Sequence, residues 1–182
     1  MTEADIVRVV EVFEANRTRW VLVGAHAIGL LTEPRATADF DFVVEGAKLS
    51  AIVRDLTAVF GDLDENDLGA AVQLKAIDID LIRSTNHPLF HEALQQTRTI
   101  GEWNVPRTEV LVILKFLAAV SPWRDRNKRM QDVADIGAVY QLVGAELDRA
   151  KMMELAAMVY PGAEREFRQL LEKIDRGDPI SI

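Results

Sequence analysis

The chain reads as an α/β (α+β) fold: a mixed-sheet core with helices packed on it over 1–105, then a helical C-terminal region over 106–182. Three observations predict this. Short apolar runs of strand length alternate with helical periodicities through the first part, whereas almost every apolar pattern after residue 106 has helical spacing. Glycines follow the apolar runs where a strand would turn into the next element. At 182 residues, 49% apolar and 27% charged, the chain can bury one sizeable core.

The elements follow in order. Ile6, Val9, Val10 and Phe13 recur at helical spacing and predict an amphipathic helix over 2–15. Residues 20–23 form an apolar strand ending at Gly24, 25–31 a short helix closed before Pro34, and 40–44 the next strand. A turn at Gly46 leads to a helix over 51–60. GDLDENDLGA is acidic and rich in turn formers, so it is expected to be a loop. Residues 72–82 predict strand, either broken near Ala76 into a hairpin or bent there. A helix over 87–97, one strand over 98–105 and an apolar helix over 109–120 capped by Thr108 come next. SPWRDRNKRM is polar and basic. Val133, Ile136, Tyr140 and Val143 mark a further helix, two more reach Lys173, and the tail RGDPISI is expected to be loose.

Bulk properties exclude several function classes. The net charge of −8 argues against a broad nucleic-acid surface or an anionic-membrane patch, while leaving room for a local basic groove. Without cysteine there are no disulfides and no thiolate metal sites. The acidic, amphipathic N-terminus is unlike a secretion signal, and no apolar run reaches a membrane span, so a cytoplasmic protein is expected.

The chemistry concentrates in VLVGAHAIGLLTEPRATADFDFVV. Asp39 and Asp41 stand one residue apart and point to one face of a strand. Two carboxylates there repel each other and lose hydration, which a divalent cation between them relieves. In AIDIDLI, Asp78 and Asp80 again share a face. Asp80 is favoured as the third acid because it precedes Leu81 and Ile82, with Asp78 as the alternative or as a further metal ligand lining the same site. Three converging carboxylates are the oxygen set that two Mg²⁺ ions need beside substrate phosphates. Gly24, at a strand-to-helix turn, lets backbone N–H groups approach a phosphate.

These features together resemble the DNA-polymerase-beta-like nucleotidyltransferase superfamily, and within it the small bacterial AbiEii-type enzymes. Gly24, Arg35, Thr37, Asp39 and Asp41 match the glycine turn and the Arg-x-Thr-x-Asp-x-Asp pattern. Lys115, Arg124, Asp132 and Asp135 match the downstream helix pair, and the resemblance covers 20–143. Two positions depart from it: Ala25 replaces a glycine or serine of the turn, and the basic residue before Asp132 is displaced to Lys128 and Arg129.

The resemblance implies a nucleotidyltransferase core over 1–105, with 106–182 completing a cleft. It implies Mg²⁺-dependent transfer of an NMP from an NTP to a hydroxyl, with Gly24, Ala25, Lys115 and Arg124 at the phosphates. The acceptor would be RNA, such as a tRNA end, and the partner a separate antitoxin protein. The alternatives are a small-molecule nucleotidyltransferase of the aminoglycoside or lincosamide kind, and an inactive member serving as a binding or antitoxin module.

Other residues have plainer readings. Arg35 and Thr37 brace the loop before the acids, with Arg35 pairing to an acid. Lys115, on an apolar helical face, must either snorkel or find an anion. Arg124, Arg126, Lys128 and Arg129 are the one basic cluster, a solvated run or a triphosphate or RNA contact. Asp132 and Asp135 favour the helix dipole or a salt bridge to Arg124 or Arg129. His87 and His91 have ligand spacing but no intervening Glu, which argues against zinc. Trp20, Trp103 and Trp123 are expected in the core or at its rim rather than as base-stacking platforms.

Overall fold

The computed structural model describes residues 2–178 and 180. Pro179, Ser181 and Ile182 of the predicted loose tail lie outside the described residues. The fold is the mixed α/β architecture that the sequence predicts. Five strands form one sheet: β1 (Trp20–Val23), β2 (Phe40–Val44), β3 (Glu65–Asp67), β4 (Ala71–Leu74) and β5 (Ile79–Arg83), in the order β1-β2-β5-β4-β3. Only β2 and β5 run parallel; the other neighbours are antiparallel. A hairpin of β6 (Thr97–Ile100) and β7 (Trp103–Pro106) packs beside β1.

Helices cover the sheet for reasons visible in their sequences. The first, α1 (Glu3–Ala15), starts in a capping box, Thr2 accepting from the Asp5 amide while the Asp5 side chain returns to Thr2. Its Ile6, Val9, Val12 and Phe13 are buried. A short α2 (Gly24–Gly29) follows β1 directly, and α3 (Leu49–Phe60) buries Leu49, Ile52, Val53 and Leu56. Phe42 alternates with Asp41 along β2, so it takes the other face, where its ring meets Phe13 and Trp20 at 5.2 and 5.9 Å.

After α4 (Pro88–Gln95) and the hairpin, α5 (Thr108–Ala119) is buried almost all round, including Lys115. Around it lie α6 (Arg126–Val143), α7 (Arg149–Ala156) and α8 (Ala163–Arg176). Phe116 of α5 meets Phe167 of α8 with ring centroids 5.0 Å apart. Among the described residues no helix is long and apolar enough to cross a membrane.

Four local expectations need correction. The acidic loop contains β3, an edge strand whose polar residues adopt strand geometry by pairing with β4. The single strand over 98–105 is the β6–β7 hairpin, turning at Gly101 with φ +58°. Thr108 is the first residue of α5, and Arg107, which offers no side-chain cap, flanks it. The fourth is Asp78, which is not on a strand. It closes a 3-10 turn (Lys75–Ile77) at φ +50°, ψ +48°, and β5 begins after it. The break near Ala76 is this turn, and the Asp78 carbonyl accepts the Phe40 amide at 2.9 Å.

Candidate active site

The parallel register of β2 and β5 sets Asp41 directly beside Asp80. Paired residues of neighbouring strands share a face, so both carboxylates emerge on the side opposite Phe42. Asp39, two residues before Asp41, is exposed just ahead of β2. Burial, and after it the neighbouring Asp80 carboxylate, pushes the Asp41 carboxyl up to about 6. Burial also raises Asp80, with Asp39 adding to it. Nearby cations therefore offset the burial and mutual repulsion of the acid pair only in part, and its donors are all oxygens, the chemistry of a hard divalent cation. Among the described residues, no three His, Asp or Glu side chains stand in ready ligating arrangement.

Gly24 explains how the chain brings the turn against these acids. Val23 is the register partner of Asp41, so the residue after Val23 lies over the Asp41 carboxylate. Gly24 has φ +67°, and a Cβ there would come within 2.8 Å of Asp41 Cγ and overlap Oδ2. Gly24→Ala should displace Asp41 and strain the turn, costing about 1–3 kcal/mol. Melting curves and activity measured on the same variant check this. Ala25 is buried in the first turn of α2. His26 stacks on Phe40 at 3.7 Å, its Nε2 buried without a hydrogen-bond partner among the described residues. Burial, aided by Arg35 and opposed by Asp39, holds its pKa below the usual imidazole value.

The row continues across the sheet. Asn66 pairs with Gln73, and Gln73 with Asp80. Asn66 Nδ2 donates to Gln73 Oε1 at 3.0 Å, and Gln73 Nε2 donates to Asp80 Oδ2 at 3.3 Å. These two amides hold one oxygen of the third acid. Sequence reading missed both: Asn66 lies in the acidic stretch expected to be a loop, and Gln73, although inside the predicted strand 72–82, is neutral; the register of Val72–Leu74 against Ile79–Leu81 is the signal that carries Gln73.

Beside the acids lies a buried ionic network. Lys115 Nζ is 3.1 Å from Asp132 Oδ1 and 2.7 Å from Asp135 Oδ2. Arg124 grips Asp132 through Nε at 2.6 Å and Nη2 at 3.1 Å. Arg35 reaches Asp135 through Nε at 3.2 Å and Nη2 at 3.3 Å. Lys115 has thus found its anions instead of snorkelling, Asp132 takes the expected bridge to Arg124, and Arg35 braces its loop on an acid. Three cations share two carboxylates, and the charges of Lys115 and Arg124 act on Asp41. Thr37 is half-buried in the loop. His87 caps α4 by accepting the Leu89 amide, and His91 faces Gln95, so the two do not form a metal pair.

No family model and no curated sequence matches this chain. Solved structures do. The antibiotic-resistance factor ANT(2'')-Ia aligns with a TM-score of 0.55 at 14% identity, covering 96% of this chain and 95% of its own. The lincosamide antibiotic adenylyltransferase LnuA, in lincomycin-bound form, aligns at 0.51 and 10% identity over 76% of this chain and 98% of its own. An antigenic nucleotidyltransferase-like protein from Paracoccidioides brasiliensis aligns at 0.51 and 20% identity, over 96% and 88%. This chain has the fold of nucleotidyltransferases.

Proposed function

We propose that this protein transfers an NMP from an NTP to a hydroxyl acceptor, releasing pyrophosphate. The observation that supports it most is the in-register Asp41–Asp80 pair with the Gly24 turn laid against it. Asp39, Asp41 and Asp80 would hold two Mg²⁺ ions, which neutralise phosphate charge and polarise the attacked phosphorus when bound. Asp78 stands in the turn ahead of β5, where its carbonyl ties down the start of β2. Gly24 and Ala25 offer backbone N–H groups at the start of α2 to the β- and γ-phosphates. Lys115 and Arg124 supply the positive surplus of the buried network toward the same phosphates. Asp80, one oxygen held by Gln73, takes the acceptor hydroxyl's proton with the other.

RNA is the favoured acceptor, with an antitoxin protein as partner in a toxin–antitoxin pair. The resemblance of Gly24, Arg35, Thr37, Asp39 and Asp41 to AbiEii-type enzymes supports this reading. A second reading, a cationic small-molecule acceptor, is favoured by the net charge of −8 and by the antibiotic-modifying proteins that share the fold.

The test is incubation with each labelled NTP and Mg²⁺, beside total RNA or a panel of aminoglycosides and lincosamides. Label should move to one acceptor class in wild type and fall at least about a hundredfold in Asp39→Asn, the scale of several kcal/mol of metal-borne stabilisation. Equal labelling by the two proteins, or no labelling of any acceptor, would falsify the reading.

A further inference from the structure

The segment joining α5 to α6 presents a feature that the acid site does not use. Trp123 is 94% exposed, although the residues on both sides of it are tied down. The Arg124 guanidinium is fixed on buried Asp132. Arg129 donates from Nε to the Arg124 carbonyl at 2.9 Å and from Nη2 to the Pro122 carbonyl at 3.2 Å. The Arg124 amide closes a turn on Ser121 at 3.2 Å, and Asp125 caps α6 by accepting the Lys128 amide at 3.0 Å. A segment so restrained can tuck its largest apolar side chain inward; this one holds an indole out in water. Large exposed aromatics on rigid backbone mark binding surfaces, because little ordering entropy remains to be lost on contact.

The surroundings indicate what the indole meets. In a chain of net charge −8, Trp123 sits in the one basic cluster. Arg126 and Lys128 are exposed, and neither is in an ion pair among the described residues. Arg124 is joined through Asp132, Lys115 and Asp135 to Arg35, four residues before Asp39, so the segment is tied to the loop that leads into the acid site. An apolar protein partner would find this setting unfavourable, since interface cores are depleted of charge. A base carrying a phosphate matches both halves of it, the π-face and the cations.

We propose that Trp123, with Arg126 and Lys128, is a stacking platform for an unpaired nucleobase and its phosphate at the rim of the acid site. The assignment rests on the nucleotidyl-transfer reading, which supplies two sources of such a base: the donor NTP and the end of a single-stranded acceptor. Binding is measured without turnover, by tryptophan fluorescence and equilibrium titration. Each NTP and a short single-stranded RNA are titrated separately into wild type, Trp123→Ala, Trp123→Phe and the double variant Arg126→Ala/Lys128→Ala.

One of the two ligands should quench wild-type emission and bind Trp123→Ala roughly tenfold more weakly, the scale of one lost base stack. Trp123→Phe should retain most of the affinity, and the double variant should weaken binding with a shallower salt dependence. Weakened NTP binding assigns the platform to the donor, weakened RNA binding to the acceptor. Melting temperatures should not change, since the indole is exposed. Unchanged affinity of Trp123→Ala for both ligands overturns the proposal, as does a change of oligomeric state as the sole effect of the substitution. Binding is read without catalysis, so an absence of transfer activity in wild type, which would refute the proposed reaction, is seen separately from failure of the platform.

Discussion

Asp41→Asn should make the metal-free protein more stable at neutral pH while removing its activity. Asp41 is held near 6 against an ordinary value of 3.8, so the folded state binds its proton more tightly than the unfolded chain does. The sign follows. Below pH 4 the carboxyl is protonated in both states and costs nothing; as pH rises from about 4 through 6 the folded state is forced to ionise it and loses stability. The rise of about two units corresponds to about 2–3 kcal/mol above pH 6. Asparagine removes that penalty. In EDTA, the variant should melt above wild type at pH 7.5 and level with it at pH 4. Transfer should drop at least about a hundredfold, because the neutral amide is a poor ligand for a hard cation. A variant that melts below wild type at pH 7.5 would mean that Asp41 is held by something other than repulsion and burial.

Asp132→Ala should be the most destabilising single change at this site. Asp132 is fully buried and is the carboxylate that both Lys115 and Arg124 grip. Its loss strips Arg124 of this partner and leaves Lys115 and Arg35 on Asp135 alone, and breaking a buried ionic network by removing one partner costs about 3–5 kcal/mol. For a chain of this size that is on the order of 10 °C in melting temperature. Asp39→Ala, at an exposed position, should leave the melting temperature unchanged. Denaturant titrations of the two variants separate the roles: equal stability would show that the network contributes nothing to the fold.

What the sequence discloses depends on whether a residue's environment is local. The strands β1, β2 and β5 were legible because each is an apolar run that must be buried whatever its neighbours. The run Glu65–Asp67 has no such signature; it is a strand only because β4 lies alongside, so neither β3 nor the Asn66–Gln73–Asp80 hydrogen bonds could be read from it. Asp78 shows a different blind spot. Alternation of acids and apolar residues from 78 to 82 counts side chains and is insensitive to φ, and the left-handed backbone at Asp78 breaks the strand without breaking the pattern. Lys115 was half legible. Its apolar helical neighbours announced that it needs an anion, but which anion depends on how α5 packs against α6. Trp123 lies at the opposite extreme, since nothing in the residues around an indole reveals that the backbone turns it outward.

The contact between Arg35 and Asp135 has a kinetic side. The two residues are 100 positions apart in the chain, so their meeting closes one of the longest loops in the molecule, and contacts of such separation form late because closure entropy is lost before they reward it. The neighbouring strands β2 and β5 come together over a much shorter span. Contact separation alone therefore predicts that the acid-bearing strands pair before the segment leading to Asp39 is braced by α6. On the proposed reaction, the acids would be aligned for chemistry only once the C-terminal helices are complete.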